Sequence, residues 1–255
     1  MLGWRGMIGL IVPANNNVIM PEFYSALPEG VTAYETRMRV EGELTFESVK
    51  KMIEDAELAA DLLRQTGVDF IGYCCMGSTI IKGWDWERNL LGRFAAYAPH
   101  GLCSANSALR DALRALGARR IGLVTSYPER INALASDFFA AGGFKVAALA
   151  GSPVEDVAEV RWVSPERVYR RASEANFKDV DAVCLLATDV QTFPIIEPLE
   201  RDIGLPVVTS NQALLWASLR AIGIEEPIAG LGRLLAKSRH DERSVGAKVR
   251  PASGR

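Results

Sequence analysis

VDFIGYCCMGST, residues 68–79, and VDAVCLLATDVQ, residues 180–191, open alike on Val-Asp, run through apolar residues and break into small polar ones. Each reads as a strand covered on both faces, because its apolar run is continuous rather than alternating. IGLIVP at Ile8 returns in the same way as IGLVTS at Ile121, and CSANSALRDALRALG, ending at Gly117, as TSNQALLWASLRAIG, ending at Gly223. Three matches in the same order predict two similar halves. Their boundary falls near Leu116 to Arg119, giving an N-terminal half over 1–117, open to completion by a C-terminal helix, and a C-terminal half over 118–236. Two α/β units built by the same general rules would also produce some of this likeness.

Working outward, MIGLIVP (7–13), RIGLVTS (120–126), FKVAAL (144–149) and PVVTS (206–210) read as further strands buried on both faces. Between the first two copies, Thr45 to Gly67 carries Phe46, Val49, Met52, Ile53, Ala56, Ala60 and Leu63 at helical spacing and ends on a glycine suited to a left-handed cap. Ser164-Pro165-Glu166 is a helix start by the same rules. Strands alternating with helices imply an α/β fold with a mostly parallel sheet, helices on both faces, in each half. Ligands in such sheets bind beyond the carboxyl ends of the strands, so the two halves are expected to share a cleft there.

Composition narrows the function. The 255 residues carry a formal net charge of −2, which argues against a nucleic-acid partner, since such a surface needs clustered Lys and Arg. No run approaches the roughly 20 apolar residues of a membrane span. MLGWRGMIGL lacks the pattern of a signal peptide, so the expected location is cytoplasmic, with no membrane partner. Four cysteines, Cys74, Cys75, Cys103 and Cys184, do not form a disulfide framework in a chain of this length and are expected to stay as thiols. With only two histidines, His100 and His240, and no Cys-x-x-Cys, HExxH or P-loop pattern, chemistry without a metal, nucleotide or other cofactor is expected.

Polar residues gather at the strand ends. PANNNV (13–18) places three asparagines after a buried strand, where amides and turn N–H groups can hold a carboxylate; asparagine also simply suits turns. In Cys74-Cys75-Met76-Gly77-Ser78-Thr79 only one cysteine can face the cleft, because side chains alternate along a strand. Gly77 and Ser78 supply N–H donors that would lower a thiol's pKa and could hold an anion, against the alternative that free cysteines are buried packing residues. In the second half Thr188 and Thr192 can donate to a carboxylate or cap a helix, and Ser210-Asn211 and Tyr127 complete the ring. The pseudo-repeat sets Ala187 opposite Cys75.

GLIVPANNNV, ETRMRV, YCCMGS, GLVTSYPERIN, IIEPLERDIGLPVVTSNQALLW and GLGRLL together resemble the maleate isomerase and arylmalonate decarboxylase group of the aspartate/glutamate racemase superfamily, in order from about residue 6 to 236. The resemblance implies two pseudo-symmetric Rossmann-like halves, each a four-stranded parallel sheet flanked by helices, with the site between them. It implies cofactor-independent chemistry on small carboxylates, with cysteine as nucleophile or proton carrier. Carried over by position, Asn16 matches a carboxylate ligand, Cys75 the cysteine that attacks the double bond, and Tyr127 a substrate-contacting tyrosine. The choice of Cys75 over Cys74 rests on aligning Tyr-x-Cys. The departure is Ala187, where the group carries a second cysteine.

A lone thiol argues against two-base racemisation, whereas two other reactions need only one. One is isomerisation of a small unsaturated dicarboxylate by addition of Cys75 to the alkene. The other is decarboxylation of a malonate-type acid through an enediolate that Cys75 protonates. A non-catalytic carboxylate binder is the third reading. Trp84-Asp85-Trp86 would either wall the site or pack a helix or subunit contact, and the resemblance implies a homo-oligomer. The charged stretch 237–255 reads as a mobile tail.

Overall fold

The computed structural model describes residues 2–40 and 45–236. The expected tail at 237–255 lies outside the described residues. The N-terminal half runs β1 (Gly6–Pro13), α1 (Ile19–Ala26), β2 (Val31–Met38), α2 (Phe46–Thr66), β3 (Phe70–Tyr73), α3 (Met76–Lys82), α4 (Trp84–Phe94), β4 (Leu102–Ser104) and α5 (Ala105–Ala115). The C-terminal half runs β5 (Arg120–Thr125), α6 (Glu129–Ala141), β6 (Lys145–Gly151), α7 (Pro165–Glu174), β7 (Ala182–Leu185), α8 (Ile196–Ile203), β8 (Val207–Thr209), α9 (Ser210–Ala221) and α10 (Gly232–Leu235). The strands form two four-stranded sheets, ordered β2-β1-β3-β4 and β6-β5-β7-β8. Every pair is parallel.

The two orders are the same order, so the repeat in the sequence is a repeat in the topology. In each sheet the chain leaves the first strand to one side and returns to its other side, which opens a crevice at the carboxyl ends of β1 and β3 and of β5 and β7. Residues after these four strands therefore meet. β3, β7 and β8 are buried throughout, as their continuous apolar runs require.

α2 forms where its apolar spacing placed it. Thr45 caps it through a reciprocal box with Ser48, and Gly67 ends it in the left-handed region at φ 76°. Its stripe of Val49, Met52, Ala56, Ala60 and Leu63 is buried on the first sheet. Ser164 caps α7, with proline in its first turn.

α5 and α9 pack on one another and join the halves. α9 also reaches β3 and β4, and a Cβ on Gly72 would stand 3.2 Å from Leu214 and 2.8 Å from Leu10. Trp84 settles its two readings by stacking on Phe138, ring centroids 4.1 Å apart, while its Nε1 donates to the Phe138 carbonyl at 2.8 Å. It packs α4 against α6 and does not wall the crevice. Among the described residues, no helix is long and apolar enough to cross a membrane.

Three strands depart from expectation, the first being β4, which was unread as a strand and has only three residues. β6 is not buried on both faces but is an edge strand with alternating exposure, because apolar Val146, Ala148 and Ala150 face in while Leu149 is 42% exposed. β2, unread as a strand, pairs along the whole length of β1 despite its polar composition VTAYETRM. An edge strand needs only one covered face.

Candidate active site

A cavity of about 450 Å³ opens at the meeting of the four strand ends. Asn16 reaches it from the turn after β1, Cys74, Cys75 and Gly77 from the end of β3, Tyr127 from the end of β5, and Thr188 and Asp189 from the end of β7. Cys75 is the residue immediately before α3, and 8% of its surface is exposed; Cys74 also borders the cavity but has no exposed surface and packs into the larger apolar core.

Burial pushes the Cys75 thiol up. The N–H groups of Ser78 and Gly77 work the other way by stabilising a thiolate, and the Asp189 carboxylate opposes them by its charge. Cys74 is raised well above the ordinary range, first by burial and then by the thiols of Cys103 and Cys75. Cys75 is thus the better placed thiol, having both access to the cavity and donors on its sulfur. Tyr127 is also pushed well up, by burial and then by Asp189 and Cys75, so its hydroxyl stays a neutral donor.

The asparagine turn is held from both halves. Asn16 Oδ1 accepts from the N–H groups of Val18 and Ile19, at 3.0 and 3.1 Å. Its Nδ2 donates to Thr188 Oγ1 at 3.1 Å, which leaves one amide hydrogen for the cavity. Arg37 on β2 donates to the Asn16 carbonyl and pairs with Glu35, so the ETRMRV segment clamps this turn. Arg161 reaches across from the C-terminal half to the Asn15 carbonyl at 3.1 Å.

Three expected carboxylate ligands hold other places. Ser78 does not line the cavity; its hydroxyl donates to the Cys75 carbonyl at 3.1 Å and stands 2.9 Å from the Tyr73 hydroxyl. Asn211 is behind the wall, with Nδ2 spent on Glu22 at 2.7 Å and on the Thr188 carbonyl at 3.0 Å. Thr188 does line the cavity, yet its hydroxyl proton goes to the Cys74 carbonyl at 2.8 Å. These residues tie the walls together. Thr192 and Ser210 likewise bond inward, Thr192 to Thr209 at 3.0 Å and Ser210 to the Leu185 carbonyl at 3.3 Å. Ala187 is buried, does not line the cavity, and takes the left-handed φ of 88°.

Glu22 is the buried fastener behind this wall. It accepts from the N–H groups of Thr192 and Phe193 and from Asn211, so a carboxylate of the N-terminal half orders the loop after β7. Burial pushes it up, and those donors pull it back.

Sequence reasoning missed the third wall. Residues 156–161 cross the cavity as a loop and a short 3-10 turn, Val157–Trp162, contributing Asp156, Val157, Ala158 and Arg161. Val40 and Met52 add an aliphatic side. Arg161 is the one cation on the wall among the described residues, and its Nε is buried with no partner. A half-buried guanidinium with a buried, unused Nε–H donor is suited to hold a carboxylate. No local signal marked it; the guanidinium lies 5.3 Å from the Trp162 ring centroid. Among the described residues, no cluster of three or more His, Cys, Asp or Glu is arranged to hold a metal.

The maleate isomerase of Geobacillus stearothermophilus is 26% identical over 243 residues, covering 90% of this chain and 96% of that protein. The arylmalonate decarboxylase of Bordetella bronchiseptica is 28% identical over 203 residues, 77% of this chain and 83% of that protein. Among solved structures, the Nocardia farcinica maleate cis-trans isomerase with a covalently bound succinylcysteine intermediate superposes with a TM-score of 0.83 at 26% identity, over 91% of this chain and 98% of that one. The family model described as arylmalonate decarboxylase matches residues 8–235, and the chain belongs to that family.

Proposed function

We propose that this protein is a cofactor-independent cis-trans isomerase of a small unsaturated dicarboxylate such as maleate, with Cys75 as its nucleophile. The observation that carries this reading is the Cys75 sulfur on the wall of a cavity shared by both halves, beside the N–H groups of Gly77 and Ser78. The relative whose cysteine carries a succinyl group supports the same step. The Cys75 thiolate bonds to one alkene carbon, and the π pair moves onto the neighbouring carbon and its carboxylate. The bond between the two carbons is then single and rotates. When the pair returns, the C–S bond breaks and the alkene closes in the trans geometry.

The free amide hydrogen of Asn16, the Gly77 N–H group and the Arg161 guanidinium supply carboxylate anchors. Tyr127, held neutral, donates to the enediolate that forms after addition. This work is proposed to take place in the cytoplasm, in a homo-oligomer, which light scattering of the purified protein would test.

The aliphatic side made by Val40, Met52 and Val157 favours a second reading, because a four-carbon diacid leaves that side bare. A malonate-type acid with an apolar substituent would cover it. There the C–C bond to the departing CO2 breaks, the pair is held as an enediolate, and the Cys75 thiol protonates one face. Proton NMR in deuterated buffer separates the readings, run with maleate and with phenylmalonate on wild type and Cys75→Ser. Fumarate from maleate is the expected result. Deuterated phenylacetate from phenylmalonate would favour the decarboxylase, and binding of either acid with no turnover would favour a carboxylate binder.

A further inference from the structure

The pseudo-repeat leaves a methyl, that of Ala187, where a second thiol would stand. The chain turns through the left-handed region at Ala187, and the residue that reaches the cavity wall two places later is Asp189. Its carboxylate is close enough to both Cys75 and Tyr127 to raise each of them. The other titratable or charged groups on this wall are Cys74, Asp156 and Arg161. Asp156 is engaged with the Ala158 N–H at 2.9 Å, and Arg161 is the only one that draws Asp189 down.

We propose that Asp189 is the proton carrier of the reaction, doing from the C-terminal half what the absent second thiol would have done. The proposal rests on the isomerase reading above. In the first step the Asp189 carboxylate takes the Cys75 proton as sulfur bonds to one alkene carbon, and it then delivers that proton to the neighbouring carbon. The product is a neutral thioether of succinate and a regenerated carboxylate. After rotation, Asp189 removes a proton from that carbon, the C–H pair becomes the new π bond, and the C–S pair leaves on sulfur. The proton then returns to the thiolate. The proton delivered to the carbon stays in the product and the carbon's original hydrogen is the one removed, so protons balance and no oxidant, reductant or further reactant is required.

The two ends of this transfer are unequally poised near neutral pH. Burial pushes Asp189 up to about 6, so it accepts and releases a proton with little free-energy difference. Cys75, pushed up, does not ionise unaided near neutral pH and needs a base.

The test follows maleate in deuterated buffer with wild type, Asp189→Asn and Asp189→Glu. Wild type is expected to place deuterium on a vinyl carbon of fumarate. Asp189→Asn is expected to lower kcat by about 10²- to 10⁴-fold with a smaller change in KM, and to remove the limb of the pH profile near 6. Asp189→Glu should recover part of the rate. An Asn variant that keeps the rate, the limb and the deuterium would overturn the proposal while leaving the isomerase reading intact.

If wild type makes no fumarate, the isomerase reading fails, and alkylation of Cys75 by iodoacetamide, located by peptide mapping, still decides the role of Asp189. A base predicts slower alkylation of the Asn variant at pH 7. Faster alkylation would mean that Asp189 acts on the sulfur only as a repelling charge, and would overturn the proposal.

Discussion

The loops that follow β3 and β7 occupy the same place in two sheets of the same order, and they have been put to different uses. After β3 the chain enters a short helix at once, setting the Cys75 sulfur beside the Gly77 and Ser78 N–H groups. After β7 it turns left-handed at Ala187 and bonds outward instead, with Thr188 linked to Cys74 and Asn16 of the other half. The fold determines where reactive groups stand, and each half then supplies its own chemistry: a thiol on one side, a carboxylate on the other.

Removing the thiol breaks the comparison most completely. Cys75→Ser is expected to lower turnover of maleate by at least about 10³-fold while substrate still binds, checked by steady-state kinetics beside calorimetric titration. Next comes the third wall. Arg161→Met should raise KM by about 10- to 100-fold with a smaller change in kcat, as expected for loss of a charged hydrogen bond to a carboxylate.

A smaller effect concerns stability. Asp189 is raised from 3.8 to about 6, so the native state binds its proton more tightly than the unfolded chain does. Below 3.8 the carboxyl is protonated in both states and costs nothing; the penalty grows as pH rises from 3.8 and is complete above about 6. Asp189→Asn should therefore stabilise the fold by about 3 kcal/mol at pH 8 and by little at pH 4, read from thermal melts at the two pH values. The smallest effect is at the turn itself. Ala187→Gly relieves a φ of 88° and should raise stability by about 1 kcal/mol, as measured by urea unfolding.

What the sequence revealed follows the same contrast. β1, β3, β5, β7 and β8 are legible because central parallel strands are apolar on both faces, and α2 because its apolar stripe is bounded by Thr45 and Gly67. β2 was hidden by its polar run Glu35, Thr36 and Arg37, and β4 by having only three residues. Asn16, Cys75, Tyr127 and Thr188 could be found because each follows a buried strand, where this topology collects ligands. Arg161 could not, because nothing local says that a charged loop between β6 and α7 will fold over a cavity. The spent hydrogens of Asn211 and Thr188 were equally out of reach, since their partners lie more than a hundred residues away or on another element.

The account turns on a bond between Cys75 and the substrate. The most direct measurement is mass spectrometry of the wild-type protein, acid-quenched during turnover of maleate and mapped by peptides. The account predicts one added succinyl group, on Cys75. Fumarate production with Cys75 unmodified throughout, or the adduct on Cys74, would contradict it.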